Sequence, residues 1–305
     1  MRMHDDSFAP TRGEGRGQSK RSRFDDAETF DKRGRRKRLT PVDDSPDEGS
    51  RWSTWDQSTP TQRGPKPHPE WLVTELAAVD TELGVLKTGK EADVFLVERG
   101  VPGTDRTCLL AAKRYRSAAH RMFHRDAGYL EGRRVKESRM NRAMDARTDF
   151  GRELIAGQWA GMEFTALSRL YSAGVPVPYP VQVLGTELLL EFVGDGSAAA
   201  PRLAELRRDT ADLSDLWHQL VEAMHAMALA GFAHGDLSAY NLLVHHGRLV
   251  VIDLPQIVDV VANPQGQRFL ARDAQNVATW FAQHGVLHAD GDELAADLLH
   301  SAGIR

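Results

Sequence analysis

His234-Gly235-Asp236-Leu237-Ser238-Ala239-Tyr240-Asn241 and, a few residues on, Val250-Val251-Ile252-Asp253 are the segments on which the reading of this chain turns. Each sets a short polar run among strand-like residues. An Asp is followed five positions later by an Asn and about a dozen after that by a second Asp. This spacing can bring three oxygen donors to one nucleotide phosphate tail, with Asp236 beside the acceptor and Asn241 and Asp253 as hard ligands for Mg2+ or Mn2+. Taken singly, each of the three is an ordinary turn residue. Turn chemistry does not account for their joint spacing, or for the β hairpin expected around His245-His246-Gly247-Arg248 between Asn241 and Asp253. ATP-dependent phosphoryl transfer is therefore the leading expectation, with His234 and Ser238 holding the loop's backbone.

Upstream, Leu83–Leu86, Asp93–Val97 and Thr107–Lys113 read as three β segments, the last two joined by the turn Arg99–Asp105, so a small antiparallel sheet is expected. Between the first two lies Thr88-Gly89-Lys90-Glu91-Ala92-Asp93-Val94, whose small residues let backbone amides approach phosphate oxygens. It lacks the spaced glycines and Lys-Ser/Thr ending of a Walker loop, and a plain hairpin turn is its alternative reading. Lys113 closes an apolar strand, where its ammonium can neutralise α and β phosphates once an anion holds it. Glu163, between Met162 and Phe164 on a helix expected over Arg152–Tyr171, is favoured for that role over Glu153.

A basic, weakly apolar stretch, about 117–147, separates the Lys strand from that helix and reads as a flexible loop. Gly174-Val175-Pro176-Val177-Pro178 ends the helix, two strands follow at Val181–Leu184 and Glu187–Phe192, and Gly194-Asp195-Gly196-Ser197 forms a joint. Beyond it, Leu203–Leu206, Ala211–Leu229 and a region from about Gln267 read as helices. An α+β architecture of two lobes follows, with lobes at 70–193 and 194–305.

Residues 1–69 are rich in Arg, Lys, Asp, Gly, Ser, Thr and Pro, and read as a disordered tail with too little apolar surface to offset chain entropy. Ordered structure is expected from about Glu70, where Trp71–Val79 carries apolar residues at helical spacing. Within the tail, Lys32–Arg38 is a dense basic cluster that is either an RNA-binding patch or a solubilising charge run weakened by Asp25, Asp26, Asp43 and Asp44. The formal net charge of −4 over 305 residues does not decide between them. A single cysteine, Cys108, precludes an intrachain disulfide and fits a reducing cytoplasm. No apolar run approaches a membrane span, so no membrane association is expected. The histidines form no zinc spacing with Cys108, and His245-His246 mark an exposed turn.

Together these motifs resemble the RIO family of atypical serine/threonine kinases, most closely its type-one branch. The resemblance rests on Thr88–Val94, Ala112-Lys113, Gly132–Arg139, Trp159-Ala160 with Glu163-Phe164, Ala173–Pro178, Glu191–Gly194, His234–Ser238 with Asn241, and Ile252-Asp253, in the family's order. It implies a bilobal protein-kinase-like fold: a small N-lobe sheet with one main helix and a reduced, mostly helical C-lobe. It implies ATP binding through Thr88, Gly89, Lys90, Glu91, Ala92, Val94, Lys113 and Glu163, with Glu191 and Val193 offering backbone groups to adenine. It further implies Asp236 and Asp253 as catalytic residues, Asn241 and Asp253 as metal ligands, and an aspartyl-phosphate at Asp253 as an intermediate of ATP hydrolysis. Ala239 departs from the acidic residue usual after Ser238. Two other readings compete: a small-molecule phosphotransferase of the aminoglycoside or choline type, and an ATP-gated ribosome or RNA assembly factor. The first needs longer acceptor-binding helices than the roughly forty residues between Val193 and Asp236 provide.

Overall fold

A computed structural model of the chain describes residue 46 and residues 49–116, 149–207 and 211–304. The cluster Lys32–Arg38 and the stretch 117–147, with the motif Gly132–Arg139, lie outside these residues. Six strands form one antiparallel sheet: β1 (Ser50–Trp52), β2 (Val79–Thr88), β3 (Ala92–Gly100), β4 (Thr107–Tyr115), β5 (Pro180–Leu184) and β6 (Glu187–Glu191). Their order across the sheet is β1-β2-β3-β4-β6-β5. The three expected β segments become β2–β4, longer by several residues because each continues along its neighbour's ladder.

Period-2 alternation on β4 decides what each face does. Cys108, Leu110 and Ala112 are buried on one face in a small core with Trp55, Leu72, Val73, Ala78 and Val181. Lys113 therefore points to the other face. That face is covered by α1 (Asp149–Ser172), which buries Ala156, Ala160, Glu163, Phe164, Leu167 and Leu170 along one stripe. The helix ends at Gly174, whose φ of 80° suits glycine, and Val175 N–H closes back on Leu170 O at 3.0 Å.

Two expectations fail at the N-terminal edge. Residues 50–69 are not all tail: β1 pairs with β2, and Trp55 is only 6% exposed beneath the sheet, with the Arg63 guanidinium 4.8 Å over its ring. A polar composition concealed one aromatic anchor and a three-residue strand, which suffice when an existing sheet supplies the rest of the core. Residues 70–79 are also not a helix. They run as turns and extended chain into β2, because Leu72, Val73 and Ala78 dock individually on the sheet while Leu76 stays exposed. A buried polar network fastens this layer. Arg99 binds Asp80 through two hydrogen bonds of 2.6 and 2.9 Å and Gln182 at 3.2 Å, and Gln182 donates to Thr54 Oγ1 at 2.8 Å.

After β6 the chain forms the small hairpin β7 (Gly194–Asp195) and β8 (Ala198–Ala199), where the joint was expected. Leu203–Glu205 is a single 3-10 turn rather than a helix. Then come α2 (Leu213–Leu229), β9 (Phe232–Ala233), the hairpin β10 (Leu242–His245) and β11 (Arg248–Val251), β12 (Val258–Asp259), α3 (Gly266–Gln283) and α4 (Gly291–Ser301). Asp212 and Asp290 cap α2 and α4 by accepting first-turn amides. One large core joins α1, these helices and the β10–β11 hairpin. Among the described residues no helix is long and apolar enough to cross a membrane.

Candidate active site

Lys113 is opposite Val94 on β3 and Leu188 on β6, in the middle of the sheet. Its ammonium donates to Glu163 Oε1 at 2.8 Å and to Asp253 Oδ1 at 2.9 Å. Glu163, the favoured candidate, is thus a partner on α1; the side chain of Glu153, the competing one, lies outside the described residues. The Glu163 carboxylate is 1% exposed and also accepts from the Tyr115 hydroxyl and, at 3.3 Å, from Leu254 N–H. Burial would lower the Lys113 ammonium, but the Glu163 and Asp253 charges outweigh it and hold the group above its ordinary value. Burial likewise opposes ionisation of Asp253; Lys113 overrides it and keeps the carboxyl below the usual carboxylate range. For Tyr115, burial and Glu163 act together and push the phenol well up, so it serves as a donor.

The polar loop is built around two backbone conformations that only certain residues tolerate. Gly235 has φ 87°, and a Cβ there would lie 2.3 Å from Gln256 O. Asp253 has φ 66°, uncommon for a residue with a side chain, and its side chain is 40% exposed. Leu242 pairs with Val251, and Ile252 N–H donates to Asn241 O at 2.9 Å, so the hairpin brings Asn241 and Asp253 to its open end together. Asn241 Nδ2 donates to Asp236 O at 2.8 Å, which leaves the Asn241 carbonyl oxygen as its donor atom. Asp236 itself is exposed. His234 Nε2 lies 3.0 Å from Ile252 O, a backbone-holding contact of the kind expected for it.

One residue that orders this loop escaped the sequence reading. Asp273 on α3 is 1% exposed, and its two oxygens accept from the Gly235 and Leu237 amides at 2.7 and 3.0 Å. Burial pushes its carboxyl up against the opposing pull of His234, the two amides and Arg272. Neighbouring Arg272 donates to Gly235 O, so α3 grips the loop on both sides of Asp236. Asp273 is the single acid of an amphipathic helix, and nothing in its local sequence marks a partner more than thirty positions away. Tyr115, at the end of β4, likewise meets Glu163 only through the fold.

Thr88 to Ala92 form the β2–β3 turn, closed by Gly89 N–H on Ala92 O at 3.0 Å. It is a hairpin turn, and Lys87 and Glu91 beside it feel the charges of Lys113 and Asp253. Loss of solvent and the charge of Arg202 lower the Lys87 ammonium, whereas loss of solvent and the Asp253 charge raise the Glu91 carboxyl. At the sheet's far end Glu191 N–H donates to Tyr179 O and Val193 O accepts from Ala200 N–H, both at 2.9 Å. Asn241 and Asp253 stand at the same open end of the hairpin, Asp253 against the Lys113 ammonium, and their oxygens are of the hard type that suits Mg2+ over softer metals.

A family model described as the RIO domain matches residues 107–294. The RIO-type serine/threonine-protein kinase Rio1 of Haloferax volcanii is 40% identical over 217 residues, covering 71% of this chain and 68% of that protein. The bovine serine/threonine-protein kinase RIO3 is 30% identical over 223 residues, and the match spans 70% of this chain but only 41% of that protein. Among solved structures, the Rio2 kinase of Chaetomium thermophilum shares the fold with a TM-score of 0.51 at 21% identity, over 72% of this chain and 63% of that one. With a domain match over most of its length and a relative at this identity, the chain belongs to the RIO family.

Proposed function

We propose that the chain transfers the γ-phosphoryl group of ATP to serine or threonine hydroxyls of a protein acceptor, and to water in its absence. The observation that carries this reading is the Lys113 ammonium held between Glu163 and Asp253, the latter at the open end of the hairpin that also carries Asn241. Lys113, fixed by Glu163, takes the α and β phosphates. The turn Thr88-Gly89-Lys90-Glu91-Ala92 covers the phosphate tail, Val94 packs near the nucleotide, and the backbone at Glu191 and Val193 receives adenine. Asn241 and Asp253 would hold the metal, Mg2+ or Mn2+, which when bound neutralises charge on the transferring phosphoryl. Exposed Asp236 orients the acceptor hydroxyl and takes its proton. Asp253 can accept the phosphoryl itself: its carboxylate oxygen bonds to phosphorus as ADP leaves, and water later cleaves the acyl phosphate to inorganic phosphate.

We assign the small lobe to residues from about 49 to 193 and the larger lobe to 194–305. The short segment between Val193 and Asp236, with α2 as its one long helix, supports a protein kinase over a small-molecule phosphotransferase. Buried Cys108 supports a reducing compartment such as the cytoplasm, and the basic run Lys32–Arg38 supports an RNA or ribosomal partner. The test is Mg2+-dependent single-turnover ATP hydrolysis, with and without a generic basic protein acceptor. Label that reaches the acceptor supports the kinase, hydroxylamine-labile label on the chain supports the Asp253 intermediate, and no ATP turnover in either assay sinks the proposal.

A further inference from the structure

We propose that Asp195, His245 and His246 form a binding site for a divalent transition metal, with Zn2+ as the natural candidate, separate from the phosphate site. His245 closes β10, His246 turns the hairpin, and Asp195 stands at the end of β7, some fifty positions away in the chain. One ligand atom from each lies within 4.8 Å of the other two. His246 Nε2 and His245 Nε2 are 3.1 and 3.2 Å from the same oxygen, Asp195 Oδ1. For metal–nitrogen and metal–oxygen bonds of about 2.0–2.1 Å, a tetrahedron has edges of about 3.3 Å, so both nitrogen–oxygen separations already match a tetrahedral edge, and the two nitrogens lie within 4.8 Å of each other.

Adjacent residues on a strand point to opposite faces, so two neighbouring histidines do not ordinarily converge. Here they do because His246 adopts φ 49°, which folds its ring back over that of His245 with centroids 4.1 Å apart. His245 Nε2 is shielded from solvent without an aligned hydrogen bond to any described residue, although Asp195 is close. A buried imidazole nitrogen beside a carboxylate but not aligned to hydrogen-bond it is placed as a metal ligand would be. Two imidazoles and one carboxylate select Zn2+, Co2+ or Ni2+ over Mg2+, which prefers all-oxygen ligands. Exposure of Asp195 and His246 leaves the fourth position to water.

The metal would pin the β7–β8 hairpin, which follows the sheet, to the hairpin that carries Asn241 and Asp253 at its open end. Sequence spacing gives no warning of the site, since one ligand comes from a distant element and the other two are contiguous.

The test uses the full chain stripped of metal and held in excess Mg2+, titrated with Co2+. One equivalent should raise the visible d–d absorption of a tetrahedral nitrogen–oxygen site, and Zn2+ should bleach it with the same stoichiometry. His246→Asn keeps the left-handed turn, which Asn tolerates, while removing the imidazole. His245→Ala removes the shielded nitrogen. Losing a direct ligand should weaken Co2+ by more than the roughly 10–100-fold seen when only a ligand's hydrogen-bond partner is lost. Wild-type protein without the bands, or bands that persist unchanged in His246→Asn, overturns the site.

Discussion

Lys113 and Asp253 meet at 2.9 Å although 140 positions separate them, and this contact joins the middle of the six-stranded sheet to the end of the β10–β11 hairpin. In the proposed function it pairs the cation meant for the phosphates with a carboxylate meant for the metal. ATP and metal would divide the pair between them, Lys113 to the phosphates and Asp253 to the cation. The ion pair therefore keeps both groups in place for a small rearrangement, which is cheaper than assembling them from solvent.

Asp253→Asn should reduce Mg2+-dependent turnover to background, because an amide neither balances metal charge nor accepts phosphate. Lys113→Met should lower kcat by about 10²–10³-fold, the usual loss when one electrostatic donor is removed from a transition state. Both are read by single-turnover ATP hydrolysis on folded protein, and near-normal turnover in Asp253→Asn would refute the assignment.

Asp273 acts on the same chemistry from behind. Asp273→Ala would leave the buried Gly235 and Leu237 amides without acceptors, at about 1–3 kcal/mol each. Turnover should fall further than the unfolded fraction explains, since the backbone that aims Asp236 loses its anchor. Asp273→Asn retains an acceptor for one amide and should be intermediate in both. Urea unfolding measured alongside turnover separates the two effects, and a stability loss with unchanged turnover per folded molecule would reduce Asp273 to a purely structural role.

The hairpin and the strand that carry the candidate site were legible because each is local: Gly235, Asn241 and Asp253 punctuate apolar runs, and β4 shows its alternation directly. What escaped depends on distant partners. Arg99 reads as the start of a turn, yet it is fully buried against Asp80 and Gln182, 19 and 83 positions away. Trp55 sits in a polar stretch and looks like a lone aromatic until β3 and β4 supply its core. The apolar residues of 70–79 suggested a helix because their spacing records burial and not the path of the backbone between docking points.

Arg99 and Asp80 give a direct measure of that buried network. Asp80→Ala strands a guanidinium with no water to solvate it and should destabilise the protein by about 3–5 kcal/mol. Replacing both, as Asp80→Leu with Arg99→Met, should recover most of the loss. A double-mutant cycle in urea reads this, and a small loss for Asp80→Ala alone would show that the network is wetter than its burial implies.

Stability should also fall on acidification through these pairs. In Glu187, burial works against ionisation, but hydrogen bonds from Arg51 and Arg114 hold the carboxyl below the usual range, and Asp253 is shifted the same way by Lys113. A carboxyl depressed on folding leaves the native state with fewer bound protons than the unfolded chain. Its contribution is therefore present above the ordinary carboxylate pKa near 4 and lost as pH falls below it. Urea midpoints should be flat above pH ~6 and decline below pH ~5, with a shallower decline in Glu187→Gln. An identical acid slope in that variant would exclude Glu187 as a source.

Two truncations separate the sheet's cover from the basic cluster. Deleting residues 1–45 removes Lys32–Arg38 and leaves β1, Trp55 and the Thr54–Gln182 contact intact, so melting temperature and ATP turnover should hold. If the cluster binds RNA through phosphates, the same deletion should weaken RNA binding and flatten its salt dependence by roughly 0.7–0.9 in log-log slope per lost contact. Deleting residues 1–65 goes further: it uncovers Val73, Val97 and Tyr179 and strips the Arg51 partner from Glu187. Loss of Trp55 alone is worth about 3–5 kcal/mol, so this shorter chain should melt well below the first. Equal melting temperatures would return residues 50–65 to the status of tail, and unchanged RNA affinity in the first truncation would make Lys32–Arg38 a solubilising run.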